Sequence, residues 1–193
     1  MKYLGRVFLL GAALAAAQTS PASPADKLQP FNALAQQQFG ATFNIAEKTA
    51  SPVITGDFDG DGVEDVVMVA DSKDPLPDSY QYKYQVEDPY NSFFGFGDPR
   101  ETAGMGRLDP RQSHDLLVIF GAGAQAWHAS TPKAKFVLIN VPFDSVQLGR
   151  MLVKRKKPPI FVIKAIETQL SESAVYYDAK KKHWRWQPGN SID

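Results

Sequence analysis

The 193-residue chain contains no cysteine. That excludes disulfides and lipid attachment through an N-terminal cysteine, so an exported form must rely on its core or on a bound metal for stability. Net charge is missing too, since 21 Lys and Arg balance 21 Asp and Glu. Loss of Lys2 and Arg6 with a leader would leave 19 basic residues against the same 21 acidic ones. Such a chain carries no electrostatic footprint for nucleic acid. Histidine is scarce, with His114, His128 and His183 isolated from one another in sequence. No G-x-S-x-G elbow, H-E-x-x-H helix or P-loop occurs, so the chain shows none of those catalytic signatures. The GAGAQA stretch lacks the third small residue of a dinucleotide fingerprint at a helix start.

What is present begins at the N-terminus. Lys2 and Arg6 precede the apolar run VFLLGAALAAA, and Ala15-Ala16-Ala17 offers a small-residue cleavage site. This order predicts a signal peptide over residues 1–17, and with it a secreted or periplasmic location. No second long apolar stretch follows, so no membrane segment is expected after cleavage. QTSPASPA, residues 18–25, reads as a flexible tether. The remaining length suits one β-rich domain over 26–193.

Asp26 is positioned to cap a helix carrying Leu28, Phe31, Leu34 and Phe39, with Pro30 in its first turn and Gly40 as its stop. The period then changes. Val66–Ala70, Leu116–Phe120, Phe136–Ile139 and Ile160–Ile163 are short runs rich in β-branched and aromatic residues, as buried strands are. Ala174–Tyr177 and His183–Gln187 flank DAKKK and predict a terminal hairpin. The fold class is therefore mainly β (α+β), with antiparallel sheets and one N-terminal helix.

A long insertion, about 72–114, carries Tyr80, Tyr82, Tyr84, Tyr90, Phe93, Phe94 and Phe96 among Gly and Pro. Alternation in YQYKYQV predicts a strand within it, and its aromatics are expected to cover the sheet or to form a ligand-binding loop. Trp184 and Trp186 share one strand face and are expected in the core. The basic clusters Lys154–Lys157 and Lys180–Lys182 read as solvated turns.

One stretch implies specific chemistry. In GDFDGDGVED, Asp57, Asp59, Asp61 and Asp65 occupy loop positions 1, 3, 5 and 9, and Gly60 and Gly62 let the backbone fold between them. Clustered carboxylates repel one another unless a cation neutralises them, and an oxygen-rich turning loop suits a hard cation such as Ca²⁺. An EF-hand would need Glu at position 12, where Met68 stands instead.

The loop lies between VITGDF and EDVVMVA, and LLVIFGAGAQAW supplies a later Phe120-Gly121 turn. Together these resemble a single repeat of the FG-GAP or VCBS type, with its DxDxDGxxD loop. The resemblance implies a Ca²⁺ site formed by Asp57, Asp59, Asp61, the carbonyl of Val63 and Asp65. One repeat cannot close the propeller that several repeats build in that family, so a complete propeller is not expected. The functional expectation is a non-catalytic Ca²⁺-binding module with a structural metal. The alternatives are a module that binds a glycan or protein partner through the aromatic insertion, and a metal-assisted phosphoesterase.

Overall fold

Strands that are apolar at every position can exist only where a sheet is covered on both faces. That condition organises this molecule. The computed structural model describes residues 23–101, 114–153, 157–168 and 171–189. The expected signal peptide and residues 18–22 of the expected tether lie outside the described residues, as do 154–156 of the first basic cluster.

The elements follow in chain order. Helix α1 spans Pro24–Phe39, followed by β1 (Asn44–Ile45), β2 (Val53–Gly56) and β3 (Asp65–Asp71). The insertion contains α2 (Ser79–Tyr82), β4 (Gln85–Glu87), α3 (Pro89–Phe93) and β5 (Arg100–Glu101). Then come β6 (His114–Phe120), a 3₁₀ segment at Gly123–His128, β7 (Ala134–Leu138) and β8 (Ser145–Met151). The chain ends in β9 (Ile160–Thr168), β10 (Ser171–Asp178) and β11 (His183–Pro188).

The first sheet runs β1-β3-β6-β7-β4-β5, with β2 also paired to β3; the second is the antiparallel meander β11-β10-β9-β8. Side chains alternate across a strand. Val67, Val69, Leu116, Val118, Phe120, Phe136 and Leu138 therefore face the second sheet, where Val146, Ile163, Val175, Trp184 and Trp186 meet them. Val66, Met68, Ala70, Leu117, Ile119 and Val137 face the other way, onto Ala35 and Phe39 of α1 with Phe43 and Tyr84. The result is three layers: helix, sheet, sheet. It is mainly β, as the sequence predicts, and the two sheets stack without closing a propeller.

Helix α1 starts earlier than expected. Ser23, not Asp26, is the N-cap, and Asp26 reaches back to the Ser23 backbone N–H in a reciprocal capping box. Pro24 then occupies the first turn, where its missing N–H is harmless, and the last residues of the expected tether are ordered. Pro30 consequently lies inside the helix. Gly40 ends it with φ 113°, and the Lys135 ammonium on β7 donates to the Gln38 carbonyl at 2.6 Å. That bond satisfies one of the helix's terminal acceptors.

The four apolar runs fall in strands, with only Ile139 lying just past the end of β7, and the terminal hairpin forms with Asp178 opposite His183. Three features differ from expectation. The YQYKYQV alternation does not make one strand, because Ser79–Tyr82 coils into α2 and Lys83 turns left-handed at φ 56° before β4. The insertion is not merely a cover, since β4 joins the first sheet parallel to β7. Strand β8 completes the second sheet although SVQLGRM carries no strong apolar run.

Candidate metal site

The acidic loop is the tip of the β2–β3 hairpin, whose last pair is Gly56 opposite Asp65. Its backbone is wound around its own carboxylates. Asp57 Oδ1 accepts the N–H groups of Gly60 at 2.8 Å and Asp61 at 3.0 Å, and Asp57 Oδ2 accepts that of Gly62 at 2.9 Å. Asp59 Oδ1 accepts from Asp61 N–H at 3.1 Å, and Asp61 Oδ1 from Val63 N–H at 2.8 Å. This winding needs left-handed residues at Gly60 (φ 79°) and Gly62 (φ 86°), where glycine carries no steric penalty.

Asp57, Asp59 and Asp61 each place a carboxylate oxygen within 4.8 Å of the others. Three convergent carboxylates are a donor set for a hard cation. These residues could hold a metal, and their geometry fits the group that the sequence implies. Val63 contributes its N–H to Asp61.

Asp65 is built differently. It is buried, and its two oxygens point away from solvent to accept Phe58 N–H and Gly121 N–H, each at 2.8 Å. Burial pushes its carboxyl up to about 7, against the opposing pull of those two N–H donors. In this arrangement Asp65 ties the base of the loop to the end of β6. Between the acidic positions, Phe58 turns inward and packs against Trp184 at a ring separation of 6.4 Å.

The chain leaving β6 closes over the loop. A Cβ at Gly121 would lie 2.3 Å from the Glu64 carbonyl oxygen and 2.7 Å from the Ala126 carbonyl carbon. Trp127 Nε1 donates to Glu64 Oε2 at 3.0 Å. Ala126 holds φ 52° and ψ −133°, a strained conformation for a residue with a Cβ. Its carbonyl accepts from Ala122 N–H and Ala129 N–H. The Phe120-Gly121 turn and the acidic loop, separate in sequence, are thus one structure.

A cation from outside the loop also reaches it. Lys133 Nζ lies 2.6 Å from Asp59 Oδ2 and 2.5 Å from Asp61 Oδ2. This ammonium holds the Asp61 carboxyl below the usual range, and the two carboxylates raise the lysine in turn. No sequence motif marks Lys133 as part of the site.

The histidines have separate local partners: His114 pairs with Asp71 at 2.6 Å, His128 stacks on Trp127, and His183 contacts the Trp184 carbonyl. The GAGAQA segment forms a short kinked 3₁₀ turn rather than a helix start that could bind a phosphate. Among the described residues, no helix is long and apolar enough to cross a membrane. No family model matches the chain, and neither the curated proteins nor the solved structures contain a significant match.

Proposed function

We propose that this protein is an exported, non-catalytic β-rich module in which Ca²⁺ binds Asp57, Asp59 and Asp61 and rigidifies the β2–β3 hairpin. The convergence of the three carboxylates on a glycine-turned loop carries the reading. The likeness to a single FG-GAP or VCBS-type repeat gains support from the Asp65–Gly121 bond, which joins the two segments on which it rests. A structural ion is favoured over a catalytic one by position. The loop closes the β2–β3 hairpin, and Asp65 at its base is tied by hydrogen bonds to Phe58 and Gly121, so an ion at its tip would brace two strands of the first sheet.

Metal affinity for the folded state adds directly to folding free energy. Thermal melts in Ca²⁺ and in EDTA should therefore separate for the wild type and converge for Asp59→Ala. Superimposable wild-type melts, with no binding heat, would remove the reading.

One observation favours a second activity, binding of a glycan or protein through the insertion. Phe93, Phe94 and Phe96 are 49%, 54% and 72% exposed on α3 and the turn after it. Phe93 and Phe94 lean on Trp186. Exposed aromatic surface of this kind suits sugar faces or apolar protein contacts. A glycan array and pull-down with wild type and Phe96→Ser would test it. Ligands retained equally by both proteins would argue against the aromatic face.

A further inference from the structure

We propose that Lys133 is a tethered counter-ion for the acidic loop, and that a divalent metal binds by displacing its ammonium from Asp59 and Asp61. This rests on the metal-binding reading of the loop and adds a competitor to it.

The argument begins with placement. Lys133 lies 74 positions from Asp59 and 72 from Asp61, just before β7, yet its ammonium contacts both side chains. The Asp59 side chain is 5% exposed and that of Asp61 is 30% exposed. Two carboxylates held together with little solvent around one of them repel unless a positive charge intervenes. Lys133 supplies that charge from within the chain. The loop can therefore keep its shape before any metal arrives.

Release is mechanically simple. The Lys133 backbone N–H is anchored to the Phe120 carbonyl at 3.0 Å, so the main chain has no need to move. Its side chain is 47% exposed, leaving the ammonium a path to solvent by rotation of its flexible stem. A strongly hydrated lysine head is stable there.

Charge sets which ions can win. A monovalent cation replaces one positive charge with another and gains little over the tethered ammonium. A divalent ion brings twice the charge and can also engage Asp57, whose oxygens accept loop N–H groups while Lys133 reaches Asp59 and Asp61. The lysine thereby becomes a selectivity element, discouraging sodium and potassium while yielding to Ca²⁺.

The experiment combines calorimetric titration with lysine acylation read by mass spectrometry, using Ca²⁺ and the full chain. Lys133→Met should bind Ca²⁺ about three- to tenfold more tightly than wild type, the range suited to a partly exposed ion pair. In wild type, saturating Ca²⁺ should increase acylation of Lys133 while Lys180 stays unchanged, and sodium at matched ionic strength should not. Equal or weaker binding by Lys133→Met, or unchanged Lys133 acylation with bound Ca²⁺, would overturn the displacement while leaving the metal site intact. An equal rise with sodium would also overturn it, as simple screening. Absence of Ca²⁺ binding by both proteins would instead overturn the metal-binding reading itself. The acylation arm needs no variant, so a poorly folding Lys133→Met would leave the test in force.

Discussion

Asp65 Oδ1 accepts the backbone N–H of Gly121 at 2.8 Å, from a residue 56 positions further along the chain. The bond fixes the acidic hairpin to the end of the central strand β6, and its two ends tolerate different changes. At Gly121 the limit is space. A methyl group there would be driven to 2.3 Å from the Glu64 carbonyl oxygen, which is backbone and cannot rotate away. Gly121→Ala should lose at least about 2 kcal/mol in urea denaturation, because a close-packed site must shift its backbone to admit the methyl. At Asp65 the limit is hydrogen bonding. Asp65→Ala leaves the Phe58 and Gly121 N–H groups without their acceptor, and about 2–4 kcal/mol should be lost for two abandoned donors. A wild-type stability for either variant would show that the tie is dispensable.

Glu87 provides a pH dependence unrelated to the loop. It is fully buried on β4, where Oε2 accepts the Trp184 backbone N–H at 2.7 Å and links the two sheets near their edges. Oε1 has no hydrogen-bond partner among the described residues. Burial pushes this carboxyl from an ordinary 4.5 up to about 7, with the Trp184 N–H and Arg100 opposing the rise and Asp98 adding to it. Between these values the folded protein holds a proton that the unfolded chain has released. Stability from this group is therefore fully present below about pH 4.5 and is lost as pH rises through about 7. Asp65, whose carboxyl burial also pushes up to about 7, contributes over the same range, so Glu87→Gln should reduce the slope of that part of the stability curve without abolishing it, measured by denaturant titration at fixed ionic strength. A slope as steep in the variant as in wild type would assign the dependence elsewhere.

The sequence exposes the parts of this architecture whose causes are local or periodic. Strands β3 and β6 are legible because both their faces are covered, making every interior position apolar. The convergence of Asp57, Asp59 and Asp61 is legible because their spacing within one loop is local. YQYKYQV misleads because period-two alternation predicts a shared face for Tyr80 and Tyr84. Tyr80 is 94% exposed while Tyr84 is 5% exposed, and the left-handed Lys83 between them breaks the period. Strand β8 hides because it is an edge strand with Gln147, Leu148 and Arg150 exposed, so neither face imposes a continuous apolar pattern. Asp65 and Lys133 could not be assigned their partners, Gly121 and the Asp59–Asp61 pair, because those contacts form only when distant strands meet.

Phe58 gives the remaining prediction, because it connects the loop's chemistry to the core. It stands between Asp57 and Asp59 but is only 2% exposed, with its ring against Trp184 while the flanking carboxylates face the loop. Phe58→Ala should cost about 3–5 kcal/mol, since loss of a buried ring removes both transfer energy and packing contacts. Under the proposed Ca²⁺ role of the loop, the same substitution should weaken Ca²⁺ binding although every carboxylate remains, because part of the binding energy must then order a loop no longer anchored. Phe58→Leu, which refills most of the volume, should recover most of both losses. Denaturation and Ca²⁺ titration of the two variants measure the coupling directly. Full Ca²⁺ affinity in a folded but destabilised Phe58→Ala would show that the hairpin's own hydrogen bonds suffice to shape the site.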